Sequence, residues 1–409
     1  MKHMRTLIFL ALAAVHAAAT SCTGGDLAVF GDVVHTMSGE SLQPGVVLIR
    51  GSKISAVGRA GTVDVPAGTP ELHARVVTPG LIDAHSTVGV SGFLNQNHDQ
   101  EQLEKSAPMQ PELRALDAFN SRDELVAFVR SLGVTTLHTG HAPGALISGQ
   151  TMIVKTHPAN VDQAVLVPTA MIAATLGGGA LSDKPDKPPG TRAKAVALLR
   201  AELIKAGDYM RKRELQDLEK RPARDLHLEA LSRLLDRSLP LLVTVQRHQD
   251  VMAALRLAEE FKLRLVLDGV SDAPMVLDDI QRSGFPVLVN PTMGRTFDDA
   301  QNFSRETAAQ LQAAGIPFAL QAGYESYVPK TRIVLFEAAV AAANGLSFRD
   351  ALASITLGPA RILGIAERVG SLEPGKDADL ALYDGDPFEY VTHCTGVVVN
   401  GVVTDNQPR

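Results

Sequence analysis

The stretch Val76-Val77-Thr78-Pro79-Gly80-Leu81-Ile82-Asp83-Ala84-His85 is the most specific feature of this chain of 409 residues. It separates two regions with different residue patterns. Residues 26–78 contain short β-rich runs divided by glycine turns, which is typical of a small sheet. Residues 79–364 contain short apolar runs that alternate with helix-like segments, and this pattern indicates βαβ units around a parallel sheet.

The end of the chain repeats the β-rich pattern of its start. Residues 378–383 and 396–403 are rich in valine, leucine and alanine. The pair Asn400-Gly401 between two valine runs is typical of a two-residue hairpin turn. We therefore expect residues 26–78 and 365–405 to form one composite β-sandwich domain built from both termini.

The middle region indicates the fold class. Apolar runs at residues 241–245, 263–267 and 285–289 predict buried strands, and residues 250–262 carry apolar side chains at a helical spacing. The length of the segment 79–364 is close to that of an eight-stranded barrel. The predicted fold class is therefore α/β: a TIM-type (β/α)8 barrel over this segment, with the smaller β domain beside it.

Three stretches resemble one known family. Pro79 to His85 is similar to the first barrel strand of the amidohydrolase superfamily, where a Pro-Gly-Leu-Ile-Asp segment leads into a His-x-His pair. Pro359 to Gly364 resembles the last barrel helix of that superfamily, and Val369 to Leu380 resembles its return to the β domain. The order of the three matches is that of the family, and the chain looks most like its imidazolonepropionase-like and prolidase-like branch.

The resemblance implies a hydrolase that acts on C–N bonds, in a non-peptide amide or a dipeptide. In this family the first strand gives His-x-His and a later strand often gives a carboxylated lysine that bridges two metal ions. Strands five and six give one histidine each, and strand eight gives an aspartate that acts as a base. These groups must converge, because imidazoles and carboxylates hold the metal ion while one position stays open for water.

This sequence departs from the metal-binding pattern at several strands. His85 is present, but Thr87 stands where the second histidine is expected, and a hydroxyl is a poor ligand beside imidazole. The predicted fifth strand, residues 241–246, contains Thr244 but no histidine. Asp268 ends the predicted sixth strand, where a histidine is expected.

The remaining expected ligands are missing too. The predicted eighth strand, residues 318–325, has no aspartate, and Glu325 is its nearest carboxylate. Residues 171–177 contain no lysine, which leaves Lys155 as the nearest alternative. We therefore expect the binuclear metal site to be largely erased, with either no cofactor or a single divalent metal such as Zn.

Four residues are candidates for the metal site and the chemistry. His85 is either a surviving metal ligand or a buried histidine kept for a hydrogen bond. Glu325 is a candidate base with Tyr324 or Tyr327 as a proton donor, or else a solvated loop carboxylate. Asp268 is a further catalytic candidate. It could instead form a buried pair with Arg247, or the two could clasp a carboxylate substrate.

The candidate substrate-binding residues are His138, His141, Arg247 and Lys155. The two histidines lie in a Gly- and Pro-rich segment that should follow a strand, and barrel sites are built from such loops. They either contribute to a metal or substrate site or are solvated loop histidines. Lys155 ends a predicted strand, with His157 two residues further on and so pointing to the same side.

The first residues predict export. Residues 1–5 are basic, residues 6–14 are apolar but too short for a mature membrane span, and small residues precede Cys22. This order is that of a signal peptide over residues 1–22, followed either by lipidation of the cysteine or by ordinary cleavage near residues 17–19. The predicted location is the periplasm or the cell envelope, with membrane contact only through a lipid anchor.

Composition excludes some partners and leaves others open. The net charge of -6 gives no basic surface for nucleic acid, and the absence of Trp argues against a base-stacking platform. If Cys22 is lost or lipidated, Cys394 has no internal disulfide partner. We expect a small-molecule ligand in the barrel mouth, and the sequence does not indicate the oligomeric state.

Three classes of function compete at this point. The first is a C–N hydrolase with a rebuilt site. The second is a catalytically inactive pseudoenzyme that uses the old pocket as a binding or scaffold module of the cell envelope. The third is a purely structural envelope protein. Specificity depends on loops, so the sequence does not name a substrate.

Overall fold

A computed structural model describes residues 25–94, 96–184, 187–290, 294, 296, 298–324 and 333–405. The predicted signal peptide and Glu325 lie outside these residues. The strands of the described part are β1 (Leu27–Val34), β2 (Gly45–Arg50), β3 (Lys53–Arg59), β4 (Glu71–Pro79), β5 (Leu81–Ser86), β6 (Val134–Thr139), β7 (Ile147–Gln150), β8 (Met152–Lys155), β9 (Val165–Val167), β10 (Ile172–Thr175), β11 (Leu241–Val245), β12 (Leu265–Gly269), β13 (Val287–Val289), β14 (Phe318–Leu320), β15 (Leu380–Tyr383), β16 (Cys394–Val399) and β17 (Val402–Asp405).

Most of the helices follow β10. The α-helices of the described part are α1 (Ala115–Ala118), α2 (Glu124–Arg130), α3 (Val161–Ala164), α4 (Arg192–Arg213), α5 (Leu226–Leu235), α6 (His248–Phe261), α7 (Leu277–Ser283), α8 (Thr307–Ala313), α9 (Val334–Ala343), α10 (Phe348–Ala353) and α11 (Leu357–Ile362). Side-chain caps begin several of them, since the first backbone N–H groups of a helix lack partners within it. Thr191 caps α4 in this way, and Asp225 caps α5.

The two terminal segments form one seven-stranded sheet, in the order β17-β16-β15-β4-β1-β2-β3. Its centre joins both ends of the chain, because β4 pairs in parallel with β1 and antiparallel with β15. The predicted hairpin turn is confirmed: Val399 pairs with Val402, and Asn400 and Gly401 both have positive φ, at 50° and 76°. The composite origin of the sheet agrees with the prediction, while a sandwich of two sheets is not confirmed.

The strands of the middle region are mostly parallel. Strands β10 to β14 pair in parallel in sequence order, and β5 pairs in parallel with β6. The expected all-parallel arrangement is nevertheless wrong at β7 and β8, which run antiparallel to β10 and β6 respectively. The connection from β6 to β7 spans only residues 140–146, and a parallel crossover needs about a dozen residues or more. The chain therefore reverses direction here.

Backbone contacts also join the first and last strands of this region. Ser86 at the end of β5 forms a parallel bridge with Gly323 beyond β14, and the N–H of Gly323 donates to the carbonyl of His85 at 3.1 Å. A layer of buried apolar side chains lies between the strands and packs against α11. Its strand members are Ile82, Ala84, Ile153, Ala173, Leu242, Val266, Leu288 and Ala319.

None of the helices in the described part of the chain has both the length and the apolar character to cross a membrane.

Candidate functional site

A polar layer follows the apolar layer along four neighbouring strands. Side chains that face the same side of a strand recur every two residues. Counting two residues on from Leu242, Val266, Leu288 and Ala319 gives Thr244, Asp268, Asn290 and Gln321. All four of these polar residues line one cavity at the carboxyl ends of the strands.

The cavity has a volume of ≈ 180 Å³. This is below the range of about 300–1,000 Å³ that is typical of pockets for drug-sized ligands, so it suits a small molecule. The strand ends and the loops that follow them supply its walls. The lining residues are His85, Ser86, Thr87, Pro143, Thr244, Gln246, Asp268, Asn290, Gln321, Gly323 and Tyr324.

A buried histidine–carboxylate pair is the charged part of this cavity. Nδ1 of His85 lies 3.3 Å from Oδ2 of Asp268, and both side chains are almost fully buried. The hydroxyl of Thr244 donates to Oδ2 at 2.5 Å, and the amide of Gln321 donates to Oδ1 at 2.6 Å. Both carboxylate oxygens therefore accept a hydrogen bond, one from β11 and one from the residue that follows β14, and this fixes the carboxylate beside the imidazole.

The pair also shifts the pKa of each partner. Burial alone would lower the pKa of His85, but the Asp268 carboxylate outweighs it and holds that pKa above its usual value. Burial likewise would raise the pKa of Asp268, but His85, Thr244 and Gln321 together hold it below its usual value. The favoured state of the pair is therefore an imidazolium beside a carboxylate.

Two polar atoms beside this pair lack partners. Nε2 of His85 and Oγ of Ser86 are buried, and neither completes a hydrogen bond to a described group. The backbone of His141 lies close enough to His85 to favour its charged form. Buried polar groups are nearly always hydrogen-bonded, so unpaired atoms at the edge of a cavity are candidates for contacts with a ligand or with water.

Tyr324 connects the cavity to the long loop after β5. The side-chain amide of Gln102 donates to the hydroxyl oxygen of Tyr324 at 2.9 Å. Since the tyrosine oxygen accepts this bond, its own O–H remains able to donate to a group in the cavity. Tyr324, a predicted catalytic residue, is thus brought together with Asp268 and His85.

His138 stands behind the pair and does not line the cavity. Its Nδ1 lies 2.6 Å from the carbonyl oxygen of Ala84, and its Nε2 lies 2.7 Å from the hydroxyl of Thr151. Its ring centre is 5.8 Å from that of His85. Burial, aided by the charge of His85, lowers the pKa of His138 to about 3. His138 is therefore neutral, and each of its ring nitrogens has a hydrogen-bond partner.

His141 is also buried, so the alternative of a solvated loop histidine is wrong for both predicted histidines. Burial lowers its pKa to about 4, while the nearby backbone of Leu113 opposes the shift. Gly149 packs so closely that a Cβ there would lie 2.4 Å from the ring of His141. His141 is absent from the described cavity lining and meets the site through its backbone near His85.

The structure does not bring Lys155 to the cavity. Its ammonium is buried between Asp379, to which it donates, and Asp377, whose Oδ2 lies 3.3 Å away. The reversal of β8 explains the position. Lys155 pairs with Thr136 near the start of β6, whereas the cavity lies at the carboxyl ends of the parallel strands.

Arg247 is outside the described cavity lining as well. It precedes α6, and its Nη1 lies 4.0 Å from Asp299. The predicted pair of Arg247 with Asp268 is therefore wrong, because His85 occupies that side of the carboxylate. The third catalytic candidate, Glu325, lies outside the described residues.

A zinc ion takes about four N, S or carboxylate ligands. Nε2 of His85 and the Asp268 carboxylate are the groups of the described lining that are of the type zinc binds, and the carboxylate also accepts bonds from Thr244 and Gln321. The rest of the described lining offers hydroxyls and amides, and these described residues include no group of three His, Cys, Asp or Glu placed to hold a metal ion. This donor set does not fit a zinc ion.

Asp83 is a residue of the site that the sequence did not single out. Its Oδ1 accepts the N–H of Ala322 at 3.0 Å and the N–H of His85 at 3.3 Å. It therefore connects β5 with the segment that follows β14. Burial raises the pKa of Asp83 to about 7, although the two N–H groups oppose the shift. Its position before His85 in the quoted stretch is the signal that could have identified it.

We predict that Asp83→Asn changes the pH dependence of stability. Asn keeps an oxygen for both N–H groups but cannot ionise. Between about pH 4 and pH 7, the Asp83 carboxyl of the native protein is protonated in the folded state and ionised in the unfolded state. The free energy of unfolding of the native protein therefore falls as the pH rises through this window. The free energy of unfolding of the variant, relative to the native protein, should rise by about 1.4 kcal/mol per pH unit in this window. Urea unfolding at pH 5, 6 and 7 measures it, and parallel pH curves would contradict it.

Comparisons with known proteins find similarity to amidohydrolases. A model of the "Amidohydrolase family" matches residues 324–405. The chain is 25% identical over 383 residues to an imidazolonepropionase of Rhizorhabdus wittichii, covering 85% of this chain and 91% of that protein. It is 23% identical over 373 residues to the amidohydrolase tasK of Hapsidospora irregularis, covering 83% of this chain but only 37% of that longer protein.

A solved structure gives a similar result. The crystal structure of an amidohydrolase from Thermotoga maritima superposes with a TM-score of 0.86 at 26% identity, covering 93% of this chain and 100% of that one. A Xaa-Pro dipeptidase superposes with a TM-score of 0.57 at 15% identity, covering 93% of this chain and 100% of that one, which shows likeness of fold alone.

Proposed function

Because this chain belongs to the amidohydrolase superfamily, we propose that it hydrolyses a C–N bond in a small polar molecule, with His85 and Asp268 as its acid–base pair. The observation that carries the proposal is the 3.3 Å contact of Nδ1 of His85 with Asp268 at the wall of the cavity. A carboxylate on one ring nitrogen orients the imidazole and stabilises its protonated form, which is what proton transfer through the other nitrogen requires.

The fold that supports this chemistry is, in our proposal, a closed eight-stranded barrel. The pairings run from β5 through β6, the reversed segment β7–β8, and β10 to β14, and the bridge from Ser86 to Gly323 supports closure. One strand of the eight is then antiparallel. The composite sheet of the two termini forms the second domain.

The proposed reaction needs only water and the substrate. Water attacks the carbonyl carbon of the scissile bond as its proton passes to Nε2 of His85. The C–N bond then breaks, and the same proton passes to the leaving nitrogen, which gives an acid and an amine. The free O–H of Tyr324 is placed to donate to the carbonyl oxygen as negative charge develops on it. Because Asp268 raises the pKa of His85, the rate should rise with pH as the imidazole loses its proton.

We propose in addition that the usual binuclear metal centre is lost. The poor fit of the described side chains to zinc supports this. A second support is that Thr87, Thr244 and Asp268 lie on or directly after the strands where the family has histidine ligands. A single divalent metal remains the alternative, and it would have to draw on His85.

Export remains a proposal that rests on the pattern of residues 1–22, which the structure does not describe. Mass spectrometry of the mature N-terminus in the native host tests it. A terminus at Cys22 with an attached lipid, or one near residues 17–19, would support export, whereas an intact Met1 would contradict it.

The experiment that tests the proposed hydrolase is a turnover screen with the full chain. Cyclic amides, N-acyl amines and dipeptides are incubated with the protein, and new amines are detected by mass spectrometry. Turnover that is lost in His85→Ala supports the proposal. Binding of an amide without turnover, in the native protein and with metal added, would favour the alternative of a pseudoenzyme that uses this cavity for binding.

A further inference from the structure

The electric charge of the cavity restricts what it can bind. Apart from the phenol of Tyr324, the ionisable groups among its described lining residues are His85 and Asp268. They contact each other, so the favoured imidazolium–carboxylate pair contributes no net charge. When His85 loses its proton, the cavity becomes negative. In neither state do the described lining residues carry a net positive charge.

Two uncharged groups of the described lining, the hydroxyls of Ser86 and Thr87, can both donate and accept hydrogen bonds with a ligand. The amides of Gln246 and Asn290 also line the cavity, but they bond to each other, with Nδ2 of Asn290 donating to Oε1 of Gln246 at 2.7 Å. The buried Oγ of Ser86 has no partner among the described groups. Such a lining suits a molecule that has an N–H group and a carbonyl oxygen, as amides and ureas do.

Three basic residues described near these strands, Arg192, Arg247 and Lys155, have carboxylate partners outside the cavity. Arg192 donates to Asp250 at 2.9 Å and to Asp299 at 2.8 Å, and Arg247 lies 4.0 Å from Asp299. Lys155 is held by Asp379 at the other end of its strand. A carboxylate in the cavity would therefore lie beside Asp268 without a described cation to compensate it. Burying an unpaired charge is costly, and a like charge nearby adds to the cost.

We propose that this site selects small uncharged amides and rejects carboxylates. The inference rests on the proposed function for the site's role, and it names the substrate class: a compact molecule with an amide or urea group and no net negative charge. Asp268 sets this preference, because it cancels the one positive charge that the described lining supplies.

A matched pair of ligands tests the proposal. L-Pyroglutamide and L-pyroglutamate have the same lactam ring and the same number of heavy atoms, but only the second carries a negative charge at pH 8. Isothermal titration calorimetry with the full chain should give pyroglutamide at least about tenfold tighter binding, which is about 1.4 kcal/mol. Equal binding, tighter binding of the carboxylate, or binding of neither ligand would overturn the proposal.

Two variants show whether the charge of Asp268 is the cause. Asp268→Asn should reduce the preference, because a carboxylate ligand then no longer lies beside a like charge. Asp278→Asn, at an exposed position of α7, makes the same chemical change away from the cavity and should keep the preference. An unchanged preference in Asp268→Asn would overturn the assignment. Affinity and turnover are measured in separate experiments, with the ligand recovered after titration to check that it is intact, so a failure of turnover would count against the proposed hydrolase and not against this selectivity.

Discussion

Replacing Asp268 with Asn should lower kcat by about 10²–10⁴-fold, the range expected for losing effective acid–base catalysis. Asn has nearly the same shape but no charge, so it cannot hold the pKa of His85 above its usual value. It also brings an NH2 group towards Thr244 or Gln321, which both donate to the native carboxylate. The measurement is the steady-state rate with an amide that the native protein hydrolyses.

The matched control for this prediction is Asp278→Asn, which should keep native turnover. Circular dichroism and thermal unfolding of both variants establish that they are folded. A folded Asp268→Asn variant with kcat within about threefold of the native value would show that the carboxylate does not act through His85. The pH profile separates a chemical role from a structural one, because loss of the carboxylate should move the rise in rate to lower pH.

The second large effect concerns stability and the buried ion pair between Lys155 of β8 and Asp379, which directly precedes β15. Lys155→Met should lower the free energy of unfolding by about 3–5 kcal/mol, the usual cost of removing one partner of a buried ion pair. The side chains of Lys155 and Asp379 are 1% and 3% exposed, and among the described residues Lys155 is the cation that pairs with Asp379. Asp377 suffers less, because Lys53 and Arg368 also contact it. Denaturant unfolding at pH 7.5 measures the loss.

A double variant is the control for this result. In Lys155→Met with Asp379→Asn, the stranded charge is gone, so much of the lost stability should return. If the single variant loses less than about 1 kcal/mol, or if the double variant is no more stable than the single one, the buried charge of Asp379 is not the cause.

The position of Lys155 also shows where sequence reasoning stopped short. A lysine at the end of a predicted strand was expected at the cavity, since neighbouring strands were assumed to be parallel. The short connection of residues 140–146 reverses β8 and carries the lysine to the opposite end. Whether such a connection turns the chain or crosses over it depends on tertiary packing, and the pattern of apolar residues is the same in both directions.

Other parts of the fold could be predicted because they depend on local patterns. The strands at β11, β12 and β13, the helix α6 and the Asn400-Gly401 turn all follow from periodicity or turn chemistry within a few residues. The resemblance of the Pro79 to His85 stretch correctly gave the superfamily.

The site was predicted in part. His85, Asp268 and Tyr324 were identified and do line one cavity. Asn290 and Gln321 were missed because amides carry no special signal in a sequence, although a count of two residues from each buried apolar position would have found them. His138 and His141 were predicted to bind substrate, but both are buried and lie outside the described cavity lining, and that burial depends on side chains that meet only in the folded chain.

The most direct test of the account is the metal content of the protein, purified without chelators and measured by elemental analysis. The central claim is that the family's binuclear centre is lost and that His85 and Asp268 form an acid–base pair in its place. The account predicts far less than two equivalents of divalent metal per chain, with turnover that survives dialysis against a chelator. Two equivalents per chain, with turnover lost on chelation and restored by zinc, would contradict it.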